Sequence, residues 1–180
     1  MREIIIDIET NMGASHIWCA VTKDLSTQEV KVWTEAEKLQ GFLAKESIII
    51  GHNVIGFDAP VLKKHWNIQL DNHQIKDTLV MSRLLKPTIE NGHSLRAWGQ
   101  RLGKNKDDFK DFDGGLTSEM VRYCKQDVEV TATLYKRLTN DLLGWGKSVD
   151  LEHRVALIVK QQEDTGFKLN VRQAMSLLVG

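Results

Sequence analysis

The chain opens on an unbroken apolar run, Ile4 to Ile6, and then alternates: Asp7, Ile8, Glu9, Thr10. A strand covered on both faces reads as a continuous apolar run, and side chains along a strand point to opposite faces in turn. The pattern predicts a buried strand over residues 3–8 whose end aims Asp7 and Glu9 the same way. HIWCAVT and QEVKVW, rich in Val, Ile and Trp, predict strands over 16–23 and 28–33, joined as a hairpin across DLST.

Beyond residue 33 the apolar period changes. Leu39, Phe42 and Leu43 stand at helical spacing in TEAEKLQGFLAKE, with Thr34 placed as a cap three residues before Glu37. SIIIGHN returns to a buried strand, and GFDAPVLKKHW predicts a helix with Pro60 in its first turn. A short strand near QIKDT precedes a helix over TLVMSRLL, which Lys86-Pro87 stops. HSLRAWGQRLG predicts a short helix closed by Gly103, and KNKDDFKDFDGG a polar, mobile loop. A long helix follows over 117–142, capped by Thr117 or Ser118 with Glu119 at its positive end. GWGKS at 144–148 predicts a hinge, VDLEHRVALIVKQQEDTG an amphipathic helix, and SLLVG an apolar end suited to a continuing polypeptide. A hairpin followed by alternating helix and strand indicates an α/β layer with a mixed sheet. The domains expected are 1–143 and a hinge-plus-helix segment, 144–180.

Composition adds limits. The 180 residues suit one domain with an appendage, at 42% hydrophobic and 27% charged. No apolar run approaches a membrane span and the start lacks a signal-peptide pattern, so no membrane partner and a cytoplasmic location are expected. Twenty-four basic residues balance 24 acidic ones, which argues against gripping duplex nucleic acid by bulk attraction. Cys19 and Cys124 lack metal-ligand spacing and are expected as buried free thiols.

Two more aspartates stand in settings comparable to Asp7. Asp58 follows the SIIIGHN strand at a helix start, and Asp127 lies inside the long helix, four residues after Tyr123 and on the same face. Two carboxylates about 6 Å apart repel by roughly 3 kcal/mol at an effective dielectric near 20, a sizeable part of a total stability of about 5–15 kcal/mol. Shifted pKa values, arginines or divalent cations could compensate. Oxygen ligands of this kind suit Mg²⁺ or Mn²⁺ better than zinc.

DIET at 7–10, the NVIGFD segment ending at Asp58, and YCKQD at 123–127 resemble, in order and spacing, the three motifs of the DEDD exonuclease superfamily. Tyrosine four places before the last aspartate marks the DEDDy branch; its histidine counterpart would fall at Arg122. GHNVIGFDAPVL, KDTLVMSRLL and HSLRAWGQRLG resemble the proofreading domain of family A DNA polymerases, especially those of short-tailed bacteriophages. LEHRVALIVKQQEDTGFKLN is similar to the segment by which such chains enter their polymerase domain, although no palm motif is present.

The resemblance implies a ribonuclease H-like fold, with antiparallel hairpin strands and parallel strands in one sheet. It implies Mg²⁺-dependent (or Mn²⁺-dependent) removal of nucleoside 5′-monophosphates from 3′ ends of single-stranded DNA. It further implies two metal ions: Asp7 bridging both, Glu9 and Asp127 completing one, Asp58 holding the other, and Tyr123 orienting the attacking water. A polymerase domain, in the same or a companion chain, and the host cytoplasm of a phage-encoded protein follow from the same likeness.

Thr10, His52, Asn53 and Phe57 are candidate contacts to the 3′-terminal nucleotide, although turn capping suits Asn53 equally and core burial is favoured for Phe57. Asp77 and Ser94 read as helix caps, with His93 beside the latter, and a lone helical tyrosine is usually a packing residue. Lys104, Lys106 and Lys110, interleaved with Asp107, Asp108, Asp111 and Asp113, suit an ordinary solvated loop better than a phosphate contact. A DEDDy exoribonuclease and a catalytically silent DNA-binding or scaffold module are the alternatives; such modules usually lose metal ligands, and all four acids are present here.

Overall fold

The isoleucine run becomes the middle strand of a mixed sheet in a computed structural model, which describes residues 1–44, 46–104 and 109–179. In chain order the elements are β1 (Arg2–Thr10), β2 (Ile17–Asp24), β3 (Val30–Trp33), α1 (Ala36–Leu43), β4 (Ser47–Gly51), α2 (Asp58–Trp66), β5 (Ile75–Asp77), α3 (Thr78–Leu85), α4 (Leu95–Arg101), α5 (Ser118–Asp141), α6 (Gly146–Thr165) and α7 (Val171–Val179). Sheet order is β3-β2-β1-β4-β5. β1 to β3 pair antiparallel, while β4 and β5 run parallel to β1. The mixed α/β sheet and the antiparallel hairpin expected from the sequence are both present.

β1 is buried on both faces because each face meets a different layer. Ile5 joins Val21 and Ile50 under α5, whereas Ile4, Ile6 and Ile8 pack with Leu39 and Leu62 of α1 and α2. Fully burying one such side chain is worth about 1.5–3 kcal/mol. The register sets where β1 becomes free: its pairing with β4 ends at Ile5↔Ile50, while pairing with β2 continues to Thr10↔Ile17. Asp7 to Thr10 therefore project beyond the end of β4, where the chain leaves Gly51 for a tight loop. A Cβ at Gly51 would lie 2.7 Å from that of Val54, so the loop needs a residue without one.

α5 is fixed along its length to the hairpin. The Tyr135 hydroxyl donates to Glu3 at 2.8 Å, and the Lys23 ammonium reaches Glu129 at 2.6 Å. Thr117 caps α5 as expected, accepting from the Met120 N–H, and Ser94 caps α4 through the Ala97 N–H.

Three local expectations change. Thr34 does not cap α1; Glu35 occupies that position without a side-chain cap, its carboxylate taken by Lys38 at 2.6 Å. β3 starts two residues late because Gln28 adopts φ 62°, extending the turn. The loop expected to be mobile is fastened over its described part: Phe112 O accepts from Trp18 Nε1–H at 2.8 Å, and Asp113 Oδ1 from the Met12 N–H at 3.0 Å. Lys106, Asp107 and Asp108 lie outside the described residues. Among the described residues no helix is long and apolar enough to cross a membrane.

Candidate active site

Two-residue spacing puts Asp7 and Glu9 on the face of β1 that Ile5 shows to α5. Glu9 is buried and Asp7 partly so. α5 answers with Cys124, whose thiol lies 3.3 Å from Asp7 Oδ2 and 3.6 Å from the Asp7 carbonyl. One ligand atom from each of Asp7, Glu9 and Cys124 lies within 4.8 Å of the others, a group with the spacing of a cation site. Cys19 pairs with Glu9 across the β1–β2 ladder, shares that face, and hydrogen-bonds to Cys124. That contact lowers the Cys19 pKa, whereas burial pushes the Cys124 thiol well above its ordinary value. Both cysteines are free and buried, as the composition indicated.

Asp58 comes from the opposite layer. It is the first residue of α2 and only 4% exposed, and its carboxylate accepts the backbone N–H of Ile8, midway between Asp7 and Glu9. Burial, then the charge of Asp7, push its pKa well above the usual carboxylate range. Asp127 is buried on α5, three residues beyond Cys124 and so on the same helix side. Asp58 and Asp127 stand outside the tight Asp7–Glu9–Cys124 group.

Tyr123, next to Cys124, is held in an aromatic trio. Its ring is 5.7 Å from Phe109 and 6.2 Å from Phe112, the latter edge-on. Phe112 also lines an open cleft of about 250 Å³ with Ile8, Glu9, Thr10 and Phe57. Phe57 is 38% exposed, contrary to the burial favoured from sequence. It precedes α2 with φ −129° and ψ −68°, and the buried side of that helix is taken by Asp58 and Leu62. Thr10 is buried beside the cleft, its hydroxyl donating to the Asn11 carbonyl at 3.0 Å.

His52 and Asn53 are held as loop fasteners. Thr78 Oγ1–H donates to the Gly51 carbonyl, so His52 Nδ1–H is the donor in its 2.9 Å bond to Thr78 Oγ1. Asn53 is left-handed at φ 65°, the turn geometry its residue type favours. Asp77, 1% exposed, organises the loop: Oδ1 accepts from the N–H groups of Asn53 and Leu79, both at 2.9 Å, and Oδ2 from Ile55 at 3.0 Å. Burial nevertheless raises its pKa, the three amides opposing the rise. The Asp77 N–H donates to His153 Nε2 at 2.7 Å, and His153 Nδ1–H to the Val149 carbonyl at 2.7 Å, which docks α6 beneath the same loop. Burial lowers the pKa of His153.

Two residues at this site were missed from sequence. Cys124 shows no ligand spacing of its own, but it sits between Tyr123 and Asp127 on one helix. Phe112 was an aromatic residue inside a loop read as polar.

The polymerases of Escherichia phage T7 and Enterobacteria phage T3, each described as a DNA-directed DNA polymerase, are 28% and 27% identical to this chain over 98% of its length. The chain spans 34% of the length of each. In three dimensions it is similar to Brucella melitensis NrnC with bound Mg²⁺, with a TM-score of 0.70 and 19% identity over 91% of this chain and 86% of that one. That likeness establishes a shared α/β fold. Residues 1–143 match the 3′-5′ exonuclease family model of A-type DNA polymerases, and the chain belongs to that family.

Proposed function

We propose that the chain removes nucleotides from DNA 3′ ends by two-metal hydrolysis and serves as the proofreading module of a phage-type polymerase, with 1–143 as the nuclease and 144–180 leading toward the polymerase domain. The observation that carries this reading is the meeting of three carboxylates at one strand end: Asp7 and Glu9 side by side, and Asp58 bonded to the amide between them.

The donor set fits divalent cations. Oxygen ligands on buried carboxylates suit Mg²⁺ or Mn²⁺, and Asp58, buried and within the field of Asp7, stands where a cation would offset both carboxylates. Asp7, Glu9 and Asp127 would hold one ion and Asp7 with Asp58 the other. Divalent ions held there would supply Lewis acidity for the attacking water and for the leaving 3′ oxygen. The protein groups divide the remaining work. Tyr123 orients the attacking water; a phenol with an ordinary pKa near 10 positions water rather than removing its proton. Thr10 and Phe57 face the cleft where the terminal nucleotide would lie, and His52 and Asn53 steady the loop leading to Asp58.

A structure of NrnC bound to pGG, similar to this chain at a TM-score of 0.71, supports a ribonuclease as second reading. One experiment separates the two. Single-stranded DNA, 3′-recessed duplex and matching RNA are incubated with the protein in Mg²⁺ or EDTA, beside a variant carrying Asp7→Ala and Glu9→Ala. The reading requires Mg²⁺-dependent shortening of DNA by the wild type and its loss in the variant. Faster consumption of RNA would replace it with the second reading, and no cleavage of either strand would leave the silent module.

A further inference from the structure

We infer that Phe112 is a positioning residue that couples occupancy of the cleft beside Glu9 to the phenol of Tyr123. The inference rests on the exonuclease reading and concerns how the terminal base and the water-orienting group communicate.

The Phe112 ring serves two surroundings at once. It walls the cleft of about 250 Å³ together with Glu9, Thr10 and Phe57. It also stands edge-on to Tyr123, with centroids 6.2 Å apart at 82°, and edge-on to Phe109 at 5.0 Å and 88°. Phe109 in turn lies against Tyr123 at 5.7 Å and 36°, so any shift of the Phe112 ring presses on the phenol directly and through Phe109. Edge-to-face contacts of this length are worth about 0.5–1.5 kcal/mol and depend on orientation. The backbone beneath the ring is fastened from the hairpin side, through Trp18 to the Phe112 carbonyl and through Met12 to Asp113. The ring can therefore respond while its mount stays still.

The cleft suits a planar, apolar ligand carrying an adjacent hydroxyl. Phe57 and Phe112 offer aromatic surface to a nucleobase, and Thr10 and Glu9 offer polar atoms to a sugar. A base seated there orders Phe112, and Phe112 holds Tyr123 in its working orientation. A 3′ end whose base is not seated leaves the phenol less well aligned, so cleavage follows correct seating rather than strand binding alone.

The chain has only two tyrosines, which gives a direct readout. Tyr135 is bonded to Glu3 and lies 12 residues along α5 from Tyr123, about 18 Å at 1.5 Å per residue, and so serves as an internal reference. The protein is labelled with 3-fluorotyrosine, its two ¹⁹F resonances are assigned with Tyr123→Phe, and thymidine 5′-monophosphate is added in Mg²⁺. The Tyr123 resonance is expected to shift while that of Tyr135 stays, and Phe112→Leu is expected to reduce the shift at saturation to less than half. In kinetics, Phe112→Leu should lower kcat about tenfold with Tyr123 present and less than about twofold in a Tyr123→Phe background, because coupled residues are not additive. Phe112→Trp, which keeps an aromatic ring and adds no third tyrosine, should restore both signals. A Tyr123 resonance that ignores the nucleotide in the wild type, or losses that multiply in the double variant, would overturn the inference while leaving an active nuclease. A wild type without Mg²⁺-dependent cleavage of DNA would instead remove the exonuclease reading beneath it.

Discussion

Replacing Asp77 by Asn is expected to destabilise the protein by about 2–3 kcal/mol, although the change is isosteric and Asp77 is not among the proposed metal ligands. Oδ1 already accepts two N–H groups and Oδ2 a third, all between 2.9 and 3.0 Å. An asparagine that keeps its oxygen on Asn53 and Leu79 must aim its own NH₂ at the Ile55 N–H, donor against donor. Hydrogen bonds to a charged group contribute about 1.5–3 kcal/mol and neutral ones about 0.5–1.5. One bond is therefore lost outright and two weaken, for a gross loss of about 4–5 kcal/mol. Burying an amide rather than a carboxylate returns about 2 kcal/mol of this. For a chain of 180 residues each kcal/mol moves Tm by about 2–4 °C, so the expected fall is about 5–10 °C in EDTA. The same loop leads into Asp58, and a looser mount should raise the Mg²⁺ concentration for half-maximal nuclease activity. Asp77→Ala leaves all three amides without their acceptor and should cost about 4 kcal/mol. A Tm for Asp77→Asn within 2 °C of wild type, or an alanine variant more stable than the asparagine one, would refute the hydrogen-bond account.

Other perturbations report on the acids and on α6. Asp58→Asn should abolish Mg²⁺-dependent cleavage yet raise Tm in EDTA at neutral pH. The folded pKa of Asp58 is raised, so the stability it contributes is present at low pH and lost as pH rises through that folded value; melts should show the variant's advantage growing from pH 4 to pH 8 and shrinking when Mg²⁺ is added. Tyr123→Phe should lower kcat by about ten- to a hundredfold with little change in the Mg²⁺ midpoint, and a larger effect on that midpoint than on kcat would count against a water-orienting role. His153 has a lowered folded pKa, so its contribution is present above about pH 6.5 and lost as pH falls toward the folded value. His153→Gln can still accept the Asp77 N–H without titrating, and the wild type should lose stability relative to it between pH 7 and pH 5 in urea unfolding.

Much of this was legible in the residues because period and chemistry agreed. Ile4 to Ile6 read as a strand with two covered faces, and the two-residue step from Asp7 to Glu9 then gave their common side. Asp77, Ser94 and Thr117 were readable as caps because capping is a local transaction over two or three residues. What escaped the sequence depends on contacts between distant segments. Cys124 meets Asp7 across 117 residues, and Trp18 meets Phe112 across 94, separations that no local spacing encodes. Phe57 was read as core from its residue type, but the backbone at the start of α2 turns it outward. The fastened loop holding Phe112 was read as polar because its charges outnumber its two aromatic rings, and those rings decide where it lies.

The pairing of β1 with partners on both sides also sets a timetable. The first acid of the cluster precedes the last by 120 residues, from Asp7 to Asp127, and the helix carrying the latter closes over the strand only when α5 is complete at Asp141. During synthesis, then, β1 waits: the hairpin can form early, β4 comes next, and the cluster stays open on its α5 side until the helix has left the ribosome. Ribosome-bound chains stalled before residue 118 should therefore be inert as nucleases, while chains stalled well past residue 141 should be competent.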